Sequence, residues 1–358
     1  MTEPSRSLIV TGAAGFIGSN FVQHLLANSP DVRVVALDAL TYSGSITTLA
    51  EVLDHPRLTF VHGDIRDRDL IRTLFAMHEP EGLIHLAAES HVDRSIVDPL
   101  LFVETNVVGT VVLLQEATRA WGAGGGRFLH VSTDEVFGEL TETGYFNEES
   151  PYSPNSPYSA SKASSDHFVR AWGESYGLDY VITNCTNNYG PYQFPEKLIP
   201  VTITRAMAGE RVPVYGSGSN VRDWLYVEDH CRALDIVYQR GASRATYAIG
   251  GQAESTNIDL VRATLNVLDE LLGNEPGTST DLIEFVGDRP GHDFRYAMDI
   301  SRIKAELGWC PSVALRDGLE RTVRWYQDNQ DWIWAIESEE HRVFQTTWYE
   351  QRMADGPS

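Results

Sequence analysis

The sequence predicts an α/β fold, in which a doubly wound parallel sheet carries a smaller, mixed α/β lobe on its C-terminal side. Short β-branched runs alternate with longer helical patterns up to about residue 185, which is typical of β-α-β units. A glycine-rich turn joins the first run to the first helical pattern. After about residue 186 the alternation loosens, and the helical patterns are separated by short strands. These three features together indicate the two-part architecture.

The first half of the chain supplies the predicted sheet and its covering helices. Six β-branched runs are predicted strands: 8–10, 33–37, 58–61, 83–86, 127–131 and 179–183. Four amphipathic stretches of helical length lie between them: 16–27, 67–77, 99–120 and 158–176. Because β-α-β connections place helices on both faces of a sheet, we expect the strands to be parallel and buried on both sides.

The second half predicts a smaller lobe. Helical patterns recur at 198–208, 228–240, 257–272 and 315–329. We assign residues 1–190, together with parts of 222–250, to the domain of the parallel sheet. Residues 191–358 are assigned to the smaller lobe, which we expect to interleave with the first domain.

Composition narrows the classes of partner. The chain has 358 residues and a formal net charge of −22, which repels nucleic acid and anionic lipid. We therefore expect neither as a partner, whereas an anionic small molecule is still compatible because local groups set a site. We see no signal peptide and no run of roughly 18–20 apolar residues that spans a bilayer. Cys185, Cys231 and Cys310 lack CxxC spacing, so we expect a cytoplasmic protein without disulfides or a metal site.

A glycine motif lies between the first strand and the first helix. Gly12, Gly15 and Gly18 form a GxxGxxG variant of the dinucleotide-binding fingerprint. Glycine is needed where the chain turns sharply, where the backbone approaches a pyrophosphate, and where helix packs on strand. The helix N-terminus then presents N–H groups and its positive dipole end to the phosphates. A tight turn without a ligand is the alternative, but the position between strand and helix favours a Rossmann-type nucleotide site.

An acidic residue discriminates between dinucleotides. Asp38 ends the second strand, about 20 residues after the glycine motif. A carboxylate there accepts hydrogen bonds from the ribose hydroxyls and repels a 2′-phosphate, which favours NAD over NADP as the cofactor. Asp64 ends the third strand and can pair with the adenine amino group, although alone it is equally compatible with a helix cap. Residues 1–190 are thus the predicted NAD-binding domain.

Tyr158 and Lys162 stand at a spacing that suits catalysis. They are four residues apart at the start of a helical pattern, so they share one helical face. A nearby ammonium lowers the pKa of a phenol, which lets a tyrosine act as a base near neutral pH. This arrangement, after a glycine motif, resembles the extended short-chain dehydrogenase/reductase superfamily. The resemblance implies that Tyr158 and Lys162 are catalytic and that Thr133 supplies the superfamily's hydroxyl group.

Two adjacent carboxylates follow Thr133. The predicted strand at 127–131 brings Asp134 and Glu135 to its carboxyl end, where parallel sheets place their ligand crevices. Near an oxidised nicotinamide the two groups can divide acid and base roles. The alternative is a helix cap or an exposed acidic turn. Epimerases of the superfamily generally lack this pair, so it favours dehydration.

Longer segments resemble one family of that superfamily, the dTDP-glucose 4,6-dehydratases. The matching stretches between residue 8 and about residue 330 include HVSTDEVFG at 130–138, SPYSASKASSDH at 156–167, NNYGPYQFPEKLIP at 187–200, NVRDWLYVEDH at 220–230 and DRPGHD at 288–293. The resemblance implies a hydro-lyase of deoxysugar synthesis that converts dTDP-glucose into dTDP-4-keto-6-deoxyglucose with NAD. It also implies that residues 191–358 bind the sugar nucleotide.

The same resemblance assigns further residues to the two ligands. Besides the three glycines, the residues assigned to NAD are Phe16, Ile17, Asp38, Thr41, Asp64, Ile65, Ala87, Ala88, Thr105, Tyr158, Lys162 and Asn188. Those assigned to the sugar nucleotide are Ser90, Thr133, Asn187, Lys197, Leu198, Tyr215, Arg222, Asn257, Arg289 and His292. For Arg222 the chemistry agrees, because a guanidinium grips a pyrophosphate through two parallel hydrogen bonds. A surface ion pair with Asp223 or Asp229 is the alternative.

The resemblance predicts a sequence of roles. Tyr158 takes the C4 hydroxyl proton during oxidation of C4, with Thr133 orienting that hydroxyl. Glu135 then removes the C5 proton and Asp134 protonates the departing C6 hydroxyl. Two positions depart from the family: Phe137 replaces the first aromatic of a Tyr-Gly pair, and Met353 stands where a tyrosine is common.

The same patterns are compatible with other activities of the superfamily, and they indicate a homodimer. A UDP-sugar 4,6-dehydratase, a 4-epimerase or a decarboxylase of the superfamily would also oxidise C4. A non-catalytic dinucleotide sensor would lack at least one of Thr133, Tyr158 and Lys162, and all three are present. The family implies a homodimer in which helices 99–120 and 158–176 pair across a two-fold axis. The first helix is apolar around much of its girth, which favours a partner on its outer side. The alternative is that another part of its own chain covers it.

Overall fold

Twelve strands are seen in the computed structural model, which describes residues 5–122, 124–288 and 291–336. They are β1 (Arg6–Thr11), β2 (Val32–Asp38), β3 (Leu58–His62), β4 (Gly82–His85), β5 (Arg127–Thr133), β6 (Asp179–Cys185), β7 (Asn187–Tyr189), β8 (Val212–Tyr215), β9 (Val221–Tyr226), β10 (Ala245–Ile249), β11 (Glu254–Thr256) and β12 (Ile283–Val286). Seven of them form a parallel sheet in the order β10-β6-β5-β4-β1-β2-β3. The predicted α/β fold with a doubly wound sheet is confirmed.

Helices cover both faces of this sheet. The α-helices are α1 (Phe16–Asn28), α2 (Arg68–His78), α3 (Val92–Val97), α4 (Pro99–Phe102), α5 (Thr110–Trp121), α6 (Pro157–Tyr176), α7 (Leu198–Met207), α8 (Val227–Arg240), α9 (Asn257–Leu272), α10 (Ser301–Leu307), α11 (Leu315–Asp328) and α12 (Gln330–Ile336). Apolar side chains of α1 and α8 form one core with the sheet, and those of α2, α5 and α6 form a second core on the other face. Each strand and helix predicted from the sequence lies within about two residues of its observed position.

The strand order shows how the two parts interleave. After β6 the chain builds β7, α7, β8 and β9 before it returns through α8 and β10 to the large sheet. Strand β10 was missed by the sequence analysis because the intervening elements break the alternation. The smaller part contains a sheet in the order β11-β9-β7 and the pair β12-β8. Its core includes Tyr189, Trp224, Leu260 and Tyr326.

The helix at the centre of the second face has an irregular middle. A π-helix, Val103–Gly109, joins α4 to α5 without a break in helical backbone. By length and composition, Pro99–Trp121 is apolar enough to cross a membrane, and 44% of its most apolar window is buried inside the protein. It passes by length and average composition only, because polar residues such as Glu104 and Asn106 interrupt the apolar run. The helix qualifies because apolar side chains line its outer side as well as its core side, and core helices pass the same test.

Candidate active site

The glycine turn is built for close approach. Gly12 has φ +68°, and a Cβ there would lie 2.6 Å from the backbone nitrogen of Ala87. A Cβ on Gly18 would lie 1.9 Å from the Gly12 carbonyl oxygen, so α1 packs directly on the backbone of the turn. A Cβ on Gly15 would meet only that carbonyl oxygen, at 3.3 Å, and Gly15 caps α1 without a side-chain hydrogen bond. The first turn of α1 therefore presents its backbone to a cleft.

The predicted cofactor residues meet in this cleft. It opens at the carboxyl ends of the central strands and continues towards the smaller lobe. The following residues line it: Gly12, Gly15, Phe16, Ile17, Gly18, Asp38, Thr41, Asp64, Ile65, Ala87, Ala88, Thr105, Tyr158, Lys162 and Asn188. Every residue assigned to NAD from the sequence is among them.

Two carboxylates at strand ends have different surroundings. Asp38 is buried and accepts backbone N–H groups of Ala14 at 2.9 Å and Leu40 at 2.8 Å. Burial raises the pKa of Asp38, although these hydrogen bonds act to lower it. For Asp64 burial also acts to raise the pKa, but hydrogen bonds from Arg66 prevail and lower it. The helix-cap alternative for Asp64 is wrong, because Asp67 caps α2 instead.

The acidic pair lies in a short 3₁₀ helix, Asp134–Phe137, directly after β5. Thr133 caps this helix by accepting the Glu135 N–H at 3.3 Å, and its hydroxyl donates to Asp134 Oδ1 at 3.2 Å. Asp134 is only 2% exposed, so it does not belong to an exposed acidic turn. Burial and then the charge of Glu135 raise the pKa of Asp134 well above its usual range. Asp134 is thereby suited to hold a proton, and the half-buried Glu135 supplies the second carboxyl group.

Tyr158 and Lys162 share one buried face of α6, as their spacing predicts. Lys162 Nζ donates to the Val131 carbonyl oxygen at 2.9 Å, and burial lowers its pKa. Burial, with the charge of Glu135, raises the pKa of Tyr158 well above 10, while a hydrogen bond with Thr133 opposes this. Burial therefore outweighs the lowering of the phenol's pKa that was expected from Lys162, whose ammonium is directed at the backbone of β5.

The π-helix places an unpredicted buried asparagine behind Glu89, which lines the cleft. The Asn106 amide donates to the Glu89 carbonyl oxygen at 2.9 Å and to Ser161 Oγ at 2.8 Å, and its oxygen accepts the Glu89 N–H at 2.8 Å. The Asn106 carbonyl in turn accepts hydroxyl groups of Thr110 and Ser165. The widened helical turn frees these groups to tie the helix to α6. No periodic signal in the sequence marks a π-helix.

A second unpredicted group stands beside Lys197 at the mouth of the cleft. Glu196 is buried, and the Tyr42 hydroxyl donates to its Oε1 at 3.1 Å. His91 Nε2 and Arg94 Nε lie 3.5 and 3.8 Å from its Oε2. Burial raises the pKa of Glu196 to about 7. The segment at 187–200 drew attention to this region, but sequence alone does not show that the carboxyl group is buried.

The residues assigned to the sugar nucleotide divide into two groups. Ser90, Thr133, Asn187 and Lys197 line the cleft. The others that the structure describes lie beyond its lining, in the smaller lobe: Leu198, Tyr215, Arg222, Asn257 and His292. Arg289 and Met353 are outside the described residues. The structure thus gathers the cofactor assignments more completely than the substrate assignments.

Arg222 is buried rather than on the surface. Its guanidinium donates to the carbonyl oxygens of Asp293 at 2.9 Å and Val221 at 2.7 Å, and lies 4.4 Å from the ring centre of Tyr296. Asp223 accepts backbone N–H groups of the loop after β10, so the surface ion pair with it is not formed. Asp229 is likewise held by α8 and the segment before α11. The charge of Arg222 acts to lower the pKa of Asp134, which places it in the field of the acidic pair.

The known sequences to which this chain is similar are nucleotide-sugar 4,6-dehydratases. The family model described as GDP-mannose 4,6 dehydratase matches residues 9–322. A dTDP-glucose 4,6-dehydratase of Escherichia coli is 51% identical over 343 residues, which cover 91% of this chain and 94% of that relative. The enzyme of the same name from Xanthomonas campestris pv. campestris is 52% identical, with 94% and 97% covered.

Solved structures agree. A dTDP-glucose 4,6-dehydratase of Streptomyces venezuelae, crystallised with NAD, superposes with a TM-score of 0.86 at 49% identity, covering 92% of this chain and 100% of that one. A UDP-glucose 4-epimerase from Thermotoga maritima superposes with a TM-score of 0.80 at only 30% identity, covering 90% and 99%. The fold is shared with epimerases, whereas the sequence is much closer to the dehydratases.

Proposed function

The chain belongs to the dTDP-glucose 4,6-dehydratase family, and we propose that its cleft dehydrates dTDP-glucose to dTDP-4-keto-6-deoxyglucose with NAD as the cofactor. The observation that carries this proposal is the pairing of buried Asp134 with Glu135 beside Tyr158 in one cleft. A 4-epimerase needs to oxidise and reduce C4 but has no use for a second acid and base. Dehydration needs both, one for each end of the C5–C6 bond.

The chain's own residues fit NAD. Gly12 and Gly18 leave no room for a side chain, and the first turn of α1 faces the cleft. Asp38 is suited to hold the adenosine ribose, and Asp64 and Ile65 to border the adenine. Bound NAD⁺ supplies a positive charge that favours the Tyr158 phenolate and a reversible acceptor for the C4 hydride.

The first half-reaction assigns roles to three residues. Tyr158 removes the proton of the C4 hydroxyl as C4 is oxidised. Thr133 orients that hydroxyl, because its own hydroxyl is already fixed between the phenol and Asp134. Lys162 contributes a buried positive charge next to the phenol on the same helical face. The product of this step is the 4-keto sugar nucleotide, whose C5–H is acidified by the new ketone.

The elimination uses the acidic pair. Glu135 takes the C5 proton, and Asp134 gives its proton to the C6 hydroxyl, which leaves as water. Glu135 then returns a proton to C5 when hydride arrives at C6. The raised pKa of Asp134 supports its role as the acid, since a carboxyl group must be protonated to serve a leaving hydroxyl.

Product analysis tests the proposal directly. The purified protein is incubated separately with dTDP-glucose and UDP-glucose, and the products are examined by mass spectrometry. We expect loss of one water from dTDP-glucose. Conversion of UDP-glucose alone, or epimerisation without loss of water, would instead favour the alternative activities in the superfamily. The 51% identity to a dTDP-glucose 4,6-dehydratase argues against those alternatives.

We further propose how the chain divides its work. Residues 1–190, with parts of 222–250, bind NAD, and residues 191–358 bind the sugar nucleotide. The continuation of the cleft from the glycine turn to Asn187 and Lys197 supports this division. Arg222 and His292 lie farther along the same lobe and are proposed to reach the nucleotide part of the substrate.

A homodimer in the cytoplasm completes the proposal. Leu100 is 71% exposed and Val108 47%, and Phe168 on α6 is 39% exposed, so apolar side chains stand on the outer sides of both helices. Pairing of α4–α5 and α6 with a second copy would cover them. Sedimentation at micromolar concentration should show a dimer. A single species of 39.9 kDa would contradict this part of the proposal.

A further inference from the structure

We propose that Asp166 is a positioning residue, whose buried carboxylate balances the charge of Lys162 and fixes the strand end that carries Thr133. This inference rests on the proposed function and adds to it a group that touches neither ligand. Asp166 lies in the segment at 156–167, but neither the cofactor nor the substrate assignments include it.

The position of Asp166 on α6 explains its reach. Tyr158, Lys162 and Asp166 follow one another at intervals of four residues, so they lie along one face of the helix. Their exposed fractions fall from 9% through 4% to 0%. Tyr158 and Lys162 line the cleft, whereas Asp166 does not and is the most deeply buried of the three.

Hydrogen bonds join the carboxylate to the end of β5. Asp166 Oδ2 accepts Ser132 Oγ at 2.9 Å, and Ser132 directly precedes Thr133. The Asn184 amide donates to the Thr133 carbonyl oxygen at 3.0 Å and reaches Asp166 Oδ2 at 3.5 Å. A displacement of Asp166 would thus be transmitted to Thr133 through two neighbouring contacts.

The same oxygen is held from the other side. The Tyr152 hydroxyl donates to Asp166 Oδ2 at 2.7 Å and itself accepts Arg170 Nη2 at 3.0 Å. His130 Nε2 lies 3.1 Å from Oδ1. A fully buried carboxylate with this many polar contacts is expected to stay ionised.

Among the titratable groups around Lys162, Asp166 is the one that balances the positive charge of the ammonium. Burial acts to raise its pKa, but the contacts with His130 and the charge of Lys162 prevail and lower it. Burial lowers the pKa of Lys162, and the charge of Asp166 opposes that effect. The other groups that face the pair are His85 on β4, His130 on β5, Cys185 on β6, Tyr152 in the loop before α6, and Arg170 on α6.

Those neighbours cannot replace the carboxylate. Burial lowers the pKa of His130 to about 4 and raises that of Cys185 to about 12, so both are neutral near pH 7. Arg170 is cationic and adds to the positive charge. Without the Asp166 carboxylate, the Lys162 ammonium would be less stable, and the Tyr158 phenolate would lose the positive charge that favours it.

The test compares two variants of the full-length protein. Asp166→Asn removes the charge and keeps the shape, while Tyr152→Phe removes one hydrogen bond to the same oxygen and leaves the charge. We measure kcat/KM for dTDP-glucose across pH. In Asp166→Asn the acidic limb of the profile should move to higher pH by about one unit or more, whereas in Tyr152→Phe it should stay at the wild-type position. Equal limbs in all three proteins would overturn the proposal.

A double-mutant cycle covers the case in which Asp166→Asn does not fold. Lys162→Met and Asp166→Asn each leave a buried charge without its partner, so each should lower the urea midpoint. The double variant should lose less than the sum of the single losses, and should fold even if Asp166→Asn does not. Additive losses, or a double variant that fails to fold, would overturn the coupling. Failure of the wild-type protein to dehydrate dTDP-glucose would instead refute the proposed function, since the urea cycle needs no substrate.

Discussion

Thr133 Oγ1 donates a 3.2 Å hydrogen bond to Asp134 Oδ1, so the residue proposed to orient the substrate also fixes the proposed acid. Asp134 Oδ2 is buried and has no hydrogen-bond partner among the described side chains and backbone. One oxygen is thus held in place, and the other is left to carry a proton. Asp134 is buried and Glu135 only half-buried, and this difference is the physical basis for dividing acid from base.

Substitutions of the two carboxylates should block different steps of the reaction. Asp134→Asn keeps a polar group but cannot protonate the C6 hydroxyl, so the 4-keto-glucose nucleotide should accumulate. Glu135→Gln should instead stop exchange of the C5 hydrogen with heavy water. Rapid quenching with mass spectrometry measures accumulation of the 4-keto-glucose nucleotide, and deuterium uptake measures exchange at C5. Equal effects of both variants on C5 exchange would argue against the division of roles, although not against dehydration.

Tyr158→Phe should remove the base for the oxidation of C4. We expect that addition of dTDP-glucose no longer produces the near-ultraviolet absorbance of reduced nicotinamide in a single turnover. Turnover should fall by at least about tenfold, and a general base is commonly worth more. The matched control is Tyr176→Phe, which removes an exposed phenol from the same helix outside the cleft. A smaller loss in Tyr158→Phe would show that another group accepts the proton.

The two glycines of the turn should respond differently to the same change. Gly12→Ala places a side chain at φ +68° and 2.6 Å from the Ala87 backbone, so it should destabilise the fold by about 1–3 kcal/mol or more. Gly15→Ala meets only the Gly12 carbonyl oxygen, so it should fold and lose affinity for NAD. Thermal unfolding and the amount of NAD that copurifies distinguish the two. Loss of stability in both would mean that the turn, and not the ligand, requires Gly15.

Glu196 should make stability depend on pH. Its pKa is raised to about 7 from the usual 4.5 by burial, so the folded protein binds the proton more tightly than the unfolded chain. Its stabilising effect is fully present below about pH 4.5 and is lost as pH rises through about 7. Relative to Glu196→Gln, the wild type should therefore lose about 3 kcal/mol of unfolding free energy across that window.

Urea unfolding at a series of pH values checks this difference. His130 titrates in the same window with the opposite sign, because its lowered pKa costs stability as pH falls. It is present in both proteins, so it cancels in the comparison. The exposed Glu142 provides the control, and Glu142→Gln should run parallel to the wild type. A parallel curve for Glu196→Gln would show that Glu196 is already ionised in the folded state.

Local patterns in the sequence predicted the cofactor side of the site well. Gly12 directly follows β1, Asp38 ends β2 and Tyr158 lies in the first turn of α6, where short motifs fix both conformation and position. The same patterns did not predict the burial of Glu196 or the contacts of Asn106, which depend on chain segments far apart in sequence. The net pKa of Tyr158 was not predicted either, because spacing along a helix does not show how deeply the phenol is buried.

The most direct test of the account follows one hydrogen through the reaction. Deuterium at C4 of dTDP-glucose should reappear at C6 of the product, and a mixture with unlabelled substrate of distinguishable mass should give no crossed product. In heavy water, C5 should gain one deuteron, because its proton passes through Glu135. Mass spectrometry and proton NMR of the product read all three positions. Label retained at C4, or lost to free reduced cofactor, would contradict the account.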